Sequence, residues 1–171
     1  MKEYKDEDDK CFGIAGMAIG ISILNGEDLL LGADLDDESG NFLTFTPDYY
    51  FQGSPLMGAS EAWRITINRY RMTIGMLLAN IFCRSMHSGK VISYMEAKKA
   101  LFSGIAEEGR RSCQLDDDEI RKLFQETYDY LRQVFIDTNV RTIANRFSAR
   151  LKDNRRLSNC EIKQLLGMID E

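Results

Sequence analysis

His87 is the only histidine in the chain, so any Ser-His-Asp or Cys-His catalytic arrangement must use it. Cys83 precedes it by four residues. That spacing puts both side chains on one face of a helix, where they could ligate a metal ion or form a thiolate–imidazolium pair. A closed structural metal site takes four ligands, and no second histidine or nearby cysteine completes one here. A cysteine bordering an apolar stripe and a histidine complementing the dipole of a helix end account for the two residues without chemistry. The expectation is no metal and no cofactor, with Cys83 and His87 the weak catalytic candidates.

Other motifs fail on position. Asp34, Asp36, Glu38 and Gly40 alternate as calcium-loop ligands do, but Ser39 stands where that loop needs glycine and Phe45 where it needs glutamate. Residues 87–90, His-Ser-Gly-Lys, resemble the tail of a phosphate-binding loop, yet Arg84 and Val91 occupy positions that require glycine and Ser or Thr. Gly13, Gly16 and Gly20 lack the dinucleotide-binding spacing. The acids at 116–119 fit a helix N-terminus, where negative charge is favoured.

Two features suit binding rather than catalysis. Within residues 141–156, Arg141, Arg146, Arg150, Lys152, Arg155 and Arg156 face a single acid, Asp153. Guanidinium forks suit phosphate oxygens, and such a helix could follow a nucleic-acid backbone. The competing reading is that these cations solvate a core helix carrying Ile143, Phe147 and Leu151, or meet acids elsewhere in the fold. Tyr49, Tyr50 and Phe51 form an aromatic group in a connector, which could contact a partner or ligand or simply cover a sheet edge.

The elements that would position these residues follow from periodicity. From residue 12 to 24, bulky side chains (Met17, Ile19, Ile21, Ile23) alternate with small ones (Gly16, Ala18, Gly20, Ser22), a strand period. Asn25-Gly26 suits a tight hairpin, residues 29–35 a returning strand, and residues 42–46 a third. Trp63, Ile67, Tyr70, Ile74, Leu77 and Ile81 recur at spacings of four and three, the stripe of a long amphipathic helix that Ser60 could cap and Ser88-Gly89 would end. Ser93 with Glu96, Asp116 with Glu119 and Ser158 with Glu161 each form a capping-box pair and mark three more helix starts. Asp137-Thr138-Asn139 is a weak point within the third of the four helices, and Gly109 a stopping point for the second.

The expected fold is therefore α+β and mostly helical: a small three-stranded antiparallel meander near the N-terminus packed against about four helices. The 171 residues suit a single domain, 1–171, with residues 1–10 a flexible acidic tail. A net charge of -5 gives no general attraction to nucleic acid or anionic membranes. The apolar stretch 11–24 is shorter than the roughly 20 residues of a membrane-spanning helix, and acids precede it where a secretory signal would be basic. Four widely separated cysteines suit free thiols in a cytoplasmic protein. With no complete catalytic constellation and two helices of about 40–50 Å if unbroken, the sequence points to a protein–protein interaction or regulatory module. It is expected to pair with itself and to meet an unknown partner protein. Nucleic-acid binding through the basic helix and catalysis at Cys83 or His87 are the alternatives.

Overall fold

The computed structural model describes residues 3–50 and 57–167. Helix α1 (Glu7–Ser22) leads through a short 3₁₀ turn into β1 (Leu30–Asp34) and β2 (Leu43–Phe45). Helices α2 (Pro47–Tyr50), α3 (Ala59–His87), α4 (Tyr94–Cys113), α5 (Asp117–Val134) and α6 (Thr138–Asn154) follow, then β3 (Arg156–Ser158) and α7 (Asn159–Leu166). The chain is thus mostly helical α+β with a small antiparallel sheet, as its sequence implies.

The first expected strand is instead α1, and it is the centre of the molecule. Every residue from Cys11 to Ile21 is buried. A helix covered on all sides has no polar face, so it carries no 3.6-residue signal, and an incidental large–small alternation then reads as a strand. The small residues have a different purpose: a Cβ on Gly16 would lie 2.3 Å from the Ala79 carbonyl oxygen, and one on Gly20 would lie 2.6 Å from Ala79 Cβ. They let α1 lie almost backbone to backbone on α3, in the largest interface of the fold.

Nor are residues 7–10 a tail. Asp6 caps α1 by accepting the Asp9 amide at 2.8 Å, and Glu7, Asp8 and Asp9 sit in its first turn, where the helix dipole favours acids. Asn25-Gly26 turns the chain without forming a type I′ hairpin: Asn25 is left-handed at φ 59°, Gly26 has φ -112°, and the Gly26 amide returns to the Ile21 carbonyl at 3.0 Å. The pair closes a helix end.

Two of the expected strands are present, but the third comes from the far end of the chain. The order is β2-β1-β3, with Ala33 opposite Leu43 on one side and Leu157 on the other. It is therefore not a meander. The three capping boxes form as read, each with both reciprocal hydrogen bonds. Gly89, at φ 68°, follows the end of α3, whose N-cap is Gly58 rather than Ser60. α4 runs past Gly109 to Cys113, and the weak point at Asp137 is a true break, its carboxylate capping α6 through the Asn139 amide at 2.8 Å. The core joins α1, α3, α5 and α6 through fully buried Ile14, Ile19, Ile74, Phe124 and Phe147. No helix of the described residues is long and apolar enough to cross a membrane.

Candidate interaction surfaces

Cys83 and His87 lie one turn apart on α3, and both pack against α1 in different surroundings. Cys83 is fully buried in the seam with α1, its Cβ 2.7 Å from where a Cβ on Gly16 would stand, and burial pushes its thiol far above the ordinary range. His87 lies at the exposed helix end, stacked on Phe12 with ring centroids 4.0 Å apart and planes 18° from parallel. A thiol that cannot ionise is a poor nucleophile and a poor metal ligand. Cys11 is also buried, which lifts its thiol to about 11. No group of three or more His, Cys, Asp or Glu side chains among the described residues could hold a metal ion.

The basic run of α6 and β3 meets acids, most of them from the opposite end of the chain. Lys152 binds Asp8 at 2.6 Å, Arg155 bridges Glu7 at 2.8 Å and Asp36, Arg156 binds Asp34 at 2.8 Å, and Arg150 lies 3.8 Å from Glu161. Hydrogen bonds from Lys152 and Arg155 hold the Asp8 and Asp36 carboxyls below the usual range. Much of the basic run is thus neutralised within the fold, by Glu7 and Asp8 of α1 and by Asp34 and Asp36 at the end of β1. Arg146 is engaged as well. Arg141 instead faces a groove next to the α5–α6 corner. A nucleic-acid backbone would compete with carboxylates already in place.

Of the aromatic group, Tyr49 stacks on Phe45 of β2 at 4.0 Å and shares a hydrogen bond with Thr73, 3.4 Å away, so it covers the sheet edge and ties it to α3. Tyr50 packs edge-on against Tyr49 and remains largely exposed. Phe51 lies outside the described residues.

Two features escape sequence reasoning. The first is a half-buried polar knot: Arg84 donates to both Asp9 oxygens at 2.8 and 2.6 Å and lies over the Tyr4 ring, while Asn80 donates to the Tyr4 hydroxyl at 3.0 Å. Asp9 also accepts the Lys5 amide at 3.0 Å, and despite the opposing effect of desolvation these bonds lower its carboxyl pKa. Partners 75 residues apart leave no local signal. The second is the distribution of exposed apolar side chains, which needs the tertiary structure to see.

Helix α3 is about 43 Å long at 1.5 Å per residue. Its residues 59–69 include none that is buried, whereas Tyr70, Ile74 and Leu78 are buried further along. The apolar stripe nevertheless continues through Ile67 to Trp63, which is 46% exposed. A polar hollow of about 750 Å³ between the ends of α1, α5 and α7 is lined by Asn25, Glu27, Gln133 and Asp137, and Lys163 on its wall is paired with Asp28.

No known protein family, no curated protein and no solved structure matches this chain.

Proposed function

We propose that this chain is a protein–protein interaction module that pairs with a second copy through the first three turns of α3. The observation that carries this reading is the apolar stripe of α3, which runs on to Trp63 past the last buried turn. A large aromatic on a protruding helix is the type of side chain that anchors interfaces. One stripe on one side of a helix can be buried against its own image about a two-fold axis, the commonest symmetry of soluble oligomers. In that arrangement Trp63 and Ile67 of each copy cover those of the other. The catalytic reading has less support, because the Cys83 thiol is buried and held far above its ordinary range.

Sedimentation velocity at tens of micromolar tests the pairing. The expected result is a dimer, converted to a monomer by Trp63→Glu with unchanged far-UV circular dichroism. A wild-type monomer at that concentration overturns the self-pairing.

A further inference from the structure

A separate surface lies near the C-terminal end of α3, where the 88–93 connector meets the α5–α6 corner. A groove of about 470 Å³ opens there, within the size range of ligand pockets. Its floor is Phe82 and Phe135, stacked at 5.7 Å, together with Met86. Its walls are Val91 and Ile136, 88% and 74% exposed, which with the floor make one contiguous apolar surface. Met86 and Arg141 also line an adjoining hollow of about 320 Å³ over the Phe12–His87 stack, with Asn145 on its wall, so the depression continues past the first cavity with a mixed lining.

Charge on the rim is one-sided. Lys90, Arg132 and Arg141 surround the groove, and among the described residues none of them has an ion-pair partner. The one acid there, Asp137, already caps α6. Three cations against this single carboxylate around an apolar trough leave a local positive field on a chain of net charge -5.

We propose that this groove binds a short acidic amphipathic segment of a partner protein. Bulky apolar side chains enter the trough, and flanking carboxylates reach Lys90, Arg132 and Arg141. This is the helix-in-groove mode, in which apolar anchors supply affinity and rim charges supply orientation and selectivity. A second copy presenting the same groove fits poorly, because about a two-fold axis Lys90, Arg132 and Arg141 would meet their own images. Nucleic acid fits poorly as well, since the Phe82 and Phe135 rings are a buried floor, each 8% exposed, and the open walls are aliphatic, which leaves bases no accessible face for stacking. The inference is independent of the α3 pairing.

The test is selection of a displayed library of random 16-residue peptides on the full chain, followed by fluorescence anisotropy of the enriched peptides. The expected outcome is enrichment of peptides with apolar residues at helical spacing flanked by Asp and Glu. Their affinity should fall at least tenfold in Ile136→Ser and in Arg141→Glu, fall with added salt, and be unchanged in Trp63→Glu, the variant that reports on dimerisation. Both altered side chains are exposed, and unchanged circular dichroism will show that the variants fold. Failure to enrich any peptide, enrichment of basic peptides, or binding indifferent to both variants overturns the proposal. So does dissociation of a wild-type dimer by Ile136→Ser, which would make the occupant a second copy. Groove-dependent binding of a duplex oligonucleotide or of phosphatidylserine vesicles, with no peptide selected, would also overturn it.

Discussion

Replacing Gly16 by alanine adds one methyl group where α1 and α3 lie nearly in backbone contact. Intrinsic helix propensity favours alanine by about 1 kcal/mol. Packing opposes it: the new Cβ would stand 2.3 Å from the Ala79 carbonyl oxygen and 2.7 Å from Cys83 Cβ, against an ordinary carbon contact of roughly 3.5–4 Å. The obstacle is backbone, so no rotamer change relieves it, and the helices must part by about 1 Å. Because α1 is covered on its other sides, it cannot retreat without compressing α6, and overpacking of this kind typically costs about 1–3 kcal/mol or more. A gap of 0.5–1 Å opened along the rest of the interface also forfeits about a quarter to a half of each affected dispersion contact. The expected net result is a loss of roughly 1–3 kcal/mol. Gly104, inside α4, is exposed and has nothing within 4 Å of an added Cβ, so Gly104→Ala should gain about 0.8–1 kcal/mol from propensity alone. Urea unfolding followed by far-UV circular dichroism compares the two variants, and for a chain of this length each kcal/mol moves the thermal midpoint by about 2–4 °C. If Gly16→Ala proves no less stable than Gly104→Ala, the close approach of α1 to α3 is wrong.

The Asp9–Arg84 pair should appear in acid denaturation. The folded carboxyl titrates below its unfolded value of about 3.9, so its contribution is present above that pH and is lost as pH falls through the folded value. Stability measured from pH 6 down to pH 2 should therefore fall less steeply below about pH 4 in Asp9→Asn than in wild type. At neutral pH the same variant should be weaker by roughly 1.5–3 kcal/mol, as for hydrogen bonds to charged groups, and equal stability at every pH would refute this role for the pair. Thiol reactivity provides another check, since Cys160 is exposed while Cys11, Cys83 and Cys113 are buried with raised thiol values. One equivalent should react rapidly with a disulfide reagent in the native protein and four in denaturant; rapid native reaction of Cys83 would contradict its place in the helix seam.

Sequence alone determined what depends on neighbours along the chain. The three capping boxes, the left-handed glycine after α3, the break at Asp137 and the stripe from Trp63 to Ile81 are local hydrogen-bond or periodicity signals, and all are present in the fold. Residues 29–35 and 42–46 contain β1 and β2 whole for the same reason. What required the tertiary structure lies beyond the reach of local rules. Residues 12–24 read as a strand because a helix buried on every side loses the polar face that makes helical periodicity visible, and only the packing of Gly16 and Gly20 on α3 explains their size. β3 reaches its place beside β1 across more than a hundred residues, and so do the carboxylates that occupy Lys152, Arg155 and Arg156. The basic run was visible in the sequence, but whether its charges were free depended on which acids the fold brought to them. The groove around Ile136 is drawn from three separate segments, each ordinary by itself. Its apolar walls and unpaired cations become a surface only when α3, the connector and the α5–α6 corner are brought together.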